Sequence, residues 1–186
     1  MSQTAASPSL PTIAFIGGGN MASAIIGGLI HQGQPASQIE VVEPWAEARE
    51  ALRKNYGIEA QAEAGPALQR AGIVVWAVKP QTFKDAAAQA KAHTQAALHL
   101  SVAAGIRSDS IAQWLGSERV VRTMPNTPAL VGKGMSALYA RPAVTAAERQ
   151  SVEAIMASTG EFLWVESEKQ LDAVTALSGS GPAYVF

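Results

Sequence analysis

The residues Gly17-Gly18-Gly19-Asn20-Met21-Ala22 form a Gly-x-Gly-x-x-Ala string directly after a short apolar run, Ile13 to Ile16, and at the head of a helix-length segment reaching about Gln32. Phosphate binding is the chemistry that suits this spacing. The first glycine permits a tight turn, the second lets a pyrophosphate approach the main chain, and the small sixth residue lets helix and strand pack closely. The anion then rests on the helix N-terminus, where free N–H groups and the helix dipole both favour negative charge. A glycine-rich turn alone often does nothing but turn. Placed between the first strand and first helix of a βαβ unit, it points to a bound dinucleotide.

Further candidates stand where the later apolar runs end. Glu43, in Val42-Glu43-Pro44, could accept bonds from the adenosine ribose hydroxyls, which favours NADH and repels the extra phosphate of NADPH. A solvated strand-end carboxylate is the competing account, and Arg49 and Arg53 nearby keep NADPH open. Ala77, Val78, Lys79 and Pro80 close the third run, and Ala103, Ala104 and Gly105 the fourth. Small residues there leave room for a ring against the backbone, although ordinary close packing asks for the same residues. Lys79 could donate to a ribose or phosphate oxygen, or stand solvated on the extended backbone that a following proline imposes. In Pro125-Asn126-Thr127-Pro128, two prolines frame an amide and a hydroxyl at the mouth of the cleft; a rigid turn with Thr127 as a cap is the alternative. His31, His93 and His99 are scattered and read as surface or packing residues, so no catalytic acid or base and no metal ligand set is identified. Absence of cysteine excludes disulfides, thiolate metal sites and a cysteine nucleophile, and suits a cytoplasmic enzyme whose redox chemistry belongs to a bound cofactor.

The elements that must carry these residues are legible as short apolar runs: Ile13 to Ile16, Ile39 to Val42, Ile73 to Val78, Leu98 to Ala103 and Val120 to Met124. Runs without polar alternation suit strands buried on both faces, and the Ala-rich segments between them suit the helical crossovers of a parallel sheet. The whole is a doubly wound, mostly parallel α/β sheet. Met135 to Tyr139 and Phe162 to Val165 extend it at one edge, the latter after a helix opened by the capping box Thr145 and Glu148. Ser167 caps a last helix expected to stop near Leu177, at the turn Ser178-Gly179-Ser180-Gly181-Pro182. Pro182 suits the first position of a further helix. Residues 1–11, rich in Ser, Ala and Pro, read as a mobile tail without a secretory signal. Fourteen Lys and Arg against fifteen Asp and Glu, with no basic block and no run of membrane-spanning length, imply neither a nucleic-acid nor a membrane partner.

Five segments, in order, are Ile13 to Ala22, Ala77 to Gln81, Ser101 to Ile106, Arg122 to Pro128, and Asp172-Ala173-Val174-Thr175-Ala176-Leu177-Ser178-Gly179-Ser180-Gly181-Pro182-Ala183-Tyr184. Together they resemble the successive motifs of the pyrroline-5-carboxylate reductases. The resemblance implies a Rossmann-like domain over residues 12–177, with 178–186 beginning a helical dimerisation domain. It implies NADPH or NADH as cofactor, with Gly17, Gly19, Asn20, Met21 and Ala22 at the pyrophosphate. Ala77, Val78, Lys79, Pro80, Ala103 and Ala104 would line the nicotinamide side. Ser178, Gly179, Ser180 and Gly181 would receive the substrate carboxylate, beside the polar pair Asn126 and Thr127. The implied reaction is hydride transfer to the C=N carbon of 1-pyrroline-5-carboxylate, giving L-proline, in a homodimer or larger homo-oligomer.

The chain departs from the family pattern in two respects. It stops about one turn after Pro182, before a hydroxyl-bearing residue that the family places near the imine nitrogen, so a truncated chain that binds cofactor without turnover is expected. Glu43 stands where NADPH-preferring members often carry a small polar or basic residue. Two rivals are a relative of the β-hydroxyacid dehydrogenases and imine reductases, and a non-catalytic dinucleotide-binding module. The hydroxyacid enzymes use a lysine on the helix after their glycine-rich turn, and no lysine follows Lys169 here.

Overall fold

The computed structural model describes residues 10–180, and these build one seven-stranded sheet flanked by helices. The strands are β1 (Ile13–Ile16), β2 (Ile39–Val42), β3 (Ile73–Trp76), β4 (Leu98–Ser101), β5 (Val120–Met124), β6 (Gly134–Ala140) and β7 (Gly160–Trp164). Their spatial order is β2-β1-β3-β4-β5-β6-β7. The first five run parallel, β6 turns antiparallel to β5, and β7 runs parallel to β6. The helices are α1 (Asn20–His31), α2 (Ala46–Tyr56), α3 (Pro80–Ala90), α4 (Ser108–Leu115), α5 (Ala146–Ala157) and α6 (Glu168–Ser180).

Every residue of β1, β3 and β4 is buried; β1 and β3 are accordingly continuous apolar runs, whereas β4 also buries the polar side chains of His99 and Ser101. Alternate residues feed two cores. Phe15, Val75, Leu100 and Val121 meet α1, α2 and α5 through Ile25, Leu52 and Ile155 on one face. Ala14, Val74, Trp76 and Val120 meet α3 and α4 through Phe83, Ala87 and Ile111 on the other. Because β2 and β3 lie on opposite sides of β1, the direction of winding reverses beside β1. In open α/β sheets the cleft outside the strand ends at such a reversal is where ligands bind.

The local signals for helix starts are realised. The Thr145 hydroxyl accepts from the Glu148 N–H while the Glu148 carboxylate accepts from the Thr145 N–H, both at 3.1 Å. The Ser167 hydroxyl accepts from the Gln170 N–H at 3.3 Å at the start of α6.

Several boundaries differ from expectation. β3 ends at Trp76 and β4 at Ser101, so Ala77-Val78 and Val102-Ala103 leave the sheet as connections. The apolar run continues past the strand because these connections still pack on the cores. Of the tail expected over residues 1–11, Leu10 and Pro11 are held against the domain. Leu10 packs on the first core and the Pro11 carbonyl accepts from the Gln34 side chain, while residues 1–9 lie outside the described residues. The expected turn at Ser178 is helix instead, because α6 continues through Ser180. Glycine in a helix costs only about 1 kcal/mol relative to alanine, and serine is an ordinary helix residue, so nothing in Ser178-Gly179-Ser180 forces a stop. Gly181 to Phe186, with the expected new helix at Pro182, lie outside the described residues.

α6 is fastened to the sheet by charge. Arg122 on β5 is 1% exposed, and its guanidinium donates to Glu168 at 2.8 Å. Glu168 also accepts from the Ser108 N–H at 2.8 Å and from the Ser108 hydroxyl, joining α6 to the start of α4. No helix among the described residues is long and apolar enough to cross a membrane.

Candidate functional site

The glycine-rich turn lies at the carboxyl end of β1, beside the reversal. Gly17 has φ +99°, and a Cβ there would stand 2.3 Å from the Ala77 carbonyl oxygen, so only glycine lets the turn pass so close to the end of β3. The Gly17 N–H donates to the Val42 carbonyl at 2.8 Å, and the Ala77 N–H to the Ile16 carbonyl at 2.8 Å. Turn, β2 end and β3 end are thus locked together by main-chain bonds. Gly19 is the N-cap of α1 in extended conformation, and a Cβ built on it would meet nothing within 4 Å. The first turn of α1 has neither a side-chain cap nor an acidic residue, and the N–H of Ser23 is the one that returns to the Gly19 carbonyl. The N–H groups of Asn20, Met21 and Ala22 precede that first helical bond, so they are the donors this end offers an anion.

In front of this turn is a cavity of about 570 Å³, a volume within the range of small-molecule sites. Its floor is Gly17, Gly18 and Gly19. One wall comes from the end of β2 and the start of α2, with Glu43, Pro44 and Trp45. The opposite wall is the connection Ala77-Val78-Lys79 and one face of α3. That face consists of Thr82, Asp85, Ala86 and Gln89, spaced three and four residues apart as one side of a helix requires. An aromatic stack holds the α3 wall. Trp76 lies 5.0 Å from Phe83 with rings 20° from parallel, and Phe83 reaches Trp114 of α4 at 5.9 Å.

Of the residues expected to hold a cofactor, Gly17, Gly19, Glu43, Ala77, Val78 and Lys79 line this cavity. Asn20, Met21 and Ala22 form the first turn of α1 just behind it, and Pro80 is the first residue of α3. Ala103 and Ala104 follow β4, beyond β3 from the cavity. Ala103 is buried and Ala104 exposed. The cavity therefore suits the adenosine and pyrophosphate parts of a dinucleotide, with the strand ends of β4 and β5 continuing the same edge. Lys79 is exposed, as the extended residue before Pro80, and its carbonyl accepts from the Thr82 N–H and hydroxyl at 3.0 Å.

Asn126 and Thr127 lie at the end of β5 but do not line the cavity. The Asn126 side-chain oxygen accepts from the Met135 N–H at 3.0 Å, which ties the β5 end to β6. What Asn126 can still offer a ligand is its amide NH2. The expected cap at Thr127 falls one residue earlier: Asn126 is the N-cap of a 3-10 turn, Thr127–Val131, that contains Thr127 as its first residue. The proline at its second position supplies the fixed φ that such a turn needs. The helical backbone of Ser178, Gly179 and Ser180 replaces the expected nest of converging N–H groups, since helical N–H groups point at carbonyls four residues back.

His99 is 1% exposed, and its Nδ1 accepts from the Trp76 indole N–H at 3.1 Å, whereas His31 is exposed and both stand outside the cavity lining. Among the described residues no three His, Asp or Glu side chains gather as a metal site. Trp45, Thr82 and Asp85 were not among the sequence candidates. Trp45 directly follows the strand end at Glu43-Pro44, which was its available signal; the α3 face shows only once Lys79-Pro80 is known to start a helix toward the cleft.

Residues 12–105 match a family described as NADP oxidoreductase coenzyme F420-dependent. The pyrroline-5-carboxylate reductase of Pseudomonas aeruginosa is 47% identical over 96% of this chain and 66% of its own length. Among solved structures, the pyrroline-5-carboxylate reductase of Coxiella burnetii superposes with a TM-score of 0.87 at 36% identity, covering 95% of this chain and 66% of that one. The Plasmodium falciparum pyrroline carboxylate reductase, solved with NADP bound, gives a TM-score of 0.80 at 28% identity over 94% of this chain and 64% of that one. The chain thus spans about two thirds of the length of the relatives it matches.

Proposed function

Because the chain belongs to the family described as NADP oxidoreductase coenzyme F420-dependent, we propose that its glycine-floored cavity holds NADPH or NADH and that the whole protein reduces 1-pyrroline-5-carboxylate to L-proline. The observation that carries the cofactor half is the open, uncapped N-terminus of α1 at Gly19, facing a cavity of about 570 Å³ beside the reversal of the sheet. The substrate half rests on the reductases to which the chain is similar over nearly all its length.

When bound, the dinucleotide supplies a hydride from the nicotinamide C4 to the C=N carbon of the imine. The N–H groups of Asn20, Met21 and Ala22 would bind its pyrophosphate. Gly17 holds the turn against Ala77, and Ala77, Val78, Lys79 and Pro80 would lead the ligand across the end of β3 toward Ala103 and Ala104. There the small side chains leave the ring room to lie flat. Asn126 and Thr127 would stand at the far side, the Asn126 amide donating to the substrate. By the resemblance, Ser178 to Gly181 would take the substrate carboxylate. A cyclic imine can arrive already protonated, so the chain's task is to align donor and acceptor and exclude water. The enzyme would work in the cytoplasm as a homodimer or larger homo-oligomer, a compartment that suits a chain without cysteine.

The test is calorimetric titration with NADH and NADPH, followed by addition of 1-pyrroline-5-carboxylate. It is run on this chain and on a longer one carrying the C-terminal third present in its relatives. Cofactor binding by both, with proline formed by the longer chain, is the expected result. Cofactor binding without imine reduction by the longer chain would overturn the substrate.

A further inference from the structure

α4 opens at Ser108 without a cap of its own: Arg107 holds the N-cap position and makes no side-chain cap bond. The acceptor comes from another element. The carboxylate of Glu168, the first residue of α6, accepts from the Ser108 N–H on one oxygen at 2.8 Å and from the Ser108 hydroxyl on the other. The oxygen that takes the N–H also accepts from Arg122 of β5 at 2.8 Å, and the Ser108 hydroxyl oxygen accepts from Arg141 at 3.0 Å. Ser108 and Arg122 are buried, so α4, α6 and β5 meet at one charged point out of solvent. A helix start needs only a local side chain, as Thr145 supplies for α5. A cap from 60 residues away fixes the relation between two helices as well. Two segments that the reading above gives to the reaction hang from it. The connection from Val102 to Arg107 is held at its β4 end by the Ala103 N–H donating to the Ser101 hydroxyl at 3.2 Å, and at its α4 end by Glu168. On the other side α6 runs unbroken to Ser180, which places Ser178 about 15 Å along the helix axis from the cap.

We propose that Glu168 is a positioning residue for the imine reduction: bonded to Ser108 and Arg122, it holds the nicotinamide-side connection at Ala103 and Ala104 and the substrate-side end of α6 in one fixed relation. The inference rests on the dinucleotide and substrate readings given above. Hydride transfer needs donor and acceptor atoms about 3–3.5 Å apart and aligned, and a misplacement of about 1 Å can lower the rate about a hundredfold. A tilt of only about 4° at the start of α6 moves a residue some ten positions along the helix by about 1 Å. Charge-assisted bonds to a buried carboxylate are short and directional, which suits them to hold such an angle. Ser108, Arg122, Arg141 and Glu168 all stand outside the lining of the glycine-floored cavity, so the adenosine and pyrophosphate parts of the dinucleotide do not depend on them.

The experiment uses the longer chain that carries the C-terminal third present in its relatives, with Glu168→Gln, Ser108→Ala and, as a control, Glu148→Gln, which removes the charge of the ion pair with Arg119 at α5. Steady-state kcat/KM for 1-pyrroline-5-carboxylate is measured beside the calorimetric Kd for ADP-ribose, the dinucleotide without its nicotinamide. Both are taken at a temperature where melting curves show each variant folded. Glu168→Gln should lower kcat/KM by about tenfold to a hundredfold. Ser108→Ala keeps Arg122 paired and should lower kcat/KM in the same direction by less, so it reports the link between the helices even where Glu168→Gln does not fold. Both variants should keep the Kd for ADP-ribose within about twofold, a split that general loosening of the fold does not produce. Glu148→Gln should leave both quantities in place. Unchanged kcat/KM in the Glu168 and Ser108 variants, an equal loss in Glu148→Gln, or a parallel loss of ADP-ribose affinity overturns the positioning role and leaves the reductase reading standing. Binding of ADP-ribose without imine turnover by the unaltered longer chain overturns the substrate reading and the inference with it. Absence of ADP-ribose binding overturns the cavity assignment as well.

Discussion

The guanidinium of Arg122, in the middle of β5, meets the carboxylate of Glu168, at the first residue of α6, at 2.8 Å with both side chains largely out of solvent. Burial opposes ionisation of Glu168, but the Ser108 hydroxyl and N–H and the Arg122 charge together outweigh it and hold the carboxyl below its usual range. Asp172, one turn further along α6, is 3.5 Å from the same guanidinium but about half exposed, so it is the weaker partner. Removing Glu168 leaves a buried cation short of its counter-charge, which costs on the order of 3–5 kcal/mol. Glu168→Ala should therefore lower unfolding stability in urea by about that much. The double variant Arg122→Met, Glu168→Met should be destabilised by clearly less than the two single losses combined, because it removes both charges at once. Additive losses would show that the pair does not act as a unit.

Gly17 and Gly19 are two residues apart and should respond to substitution in opposite ways. Gly17→Ala forces a side chain into positive φ and onto the Ala77 carbonyl, so it should cost on the order of 3 kcal/mol or more in stability. Gly19→Asp meets open space at an N-cap position with ordinary extended backbone, and aspartate there changes stability by only about a few tenths of a kcal/mol. The same aspartate sets charge against a bound pyrophosphate and should weaken dinucleotide binding at least about tenfold. Thermal melting and calorimetric titration of the two variants separate these effects. Undiminished NAD(P)H affinity in a folded Gly19→Asp chain would remove the turn from the binding site.

Thr145 and Glu148 satisfy two N–H groups at the start of α5, and Glu148 also receives Arg119 at 2.7 Å. Thr145→Ala should cost about 1 kcal/mol, the usual value of an N-cap, with Thr145→Ser close to the unaltered chain. Equal midpoints for all three in urea would mean that the cap is replaced by water at no loss.

The parts of this fold that were legible in the sequence are those whose cause is local. Strands buried on both faces are mostly apolar, so β1 and β3 announce themselves and β2, β4 and β5 follow despite a polar residue or two, and Gly17 to Ala22 announce the turn because its geometry excludes a side chain at Gly17. Thr145 and Glu148 name a helix start because the cap closes within four residues. Arg122 was hidden inside the run Val120 to Met124: nothing near it indicates a buried cation, since its partner Glu168 lies 46 residues on in another element. Trp45, Thr82 and Asp85 became site residues only when β2, β1 and β3 were set side by side, which no local pattern states. The continuation of α6 through Ser180 was missed because Gly179 was weighed as a helix stop, when its penalty is small beside the propensity of the ten residues before it.

His99 combines burial with one specific bond, and the consequence is a pH dependence confined to a window of its own. It sits on β4 beside Trp76 of β3, with Nδ1 accepting from the Trp76 indole, which requires that nitrogen to be unprotonated. Burial first, and the nearby Arg119 charge second, push its pKa from 6.5 down to about 4. The unfolded chain therefore binds more protons than the folded chain between those two values. The stability this contributes is complete above about pH 6.5 and drains away as the pH falls toward 4, by up to about 3 kcal/mol in all. Glu148 and Glu168 have the same sign, but their folded values lie below the ordinary 4.5, so their contribution persists until the pH falls below that. Urea unfolding measured between pH 7 and pH 4.5, a range of roughly the ordinary histidine transition, should show a decline in the unaltered chain. In His99→Gln, which keeps an acceptor for Trp76 and cannot titrate, the same range should be nearly flat. A flat profile in the unaltered chain would mean that His99 is protonated in the fold, and that the Trp76 bond is not made as the structure has it.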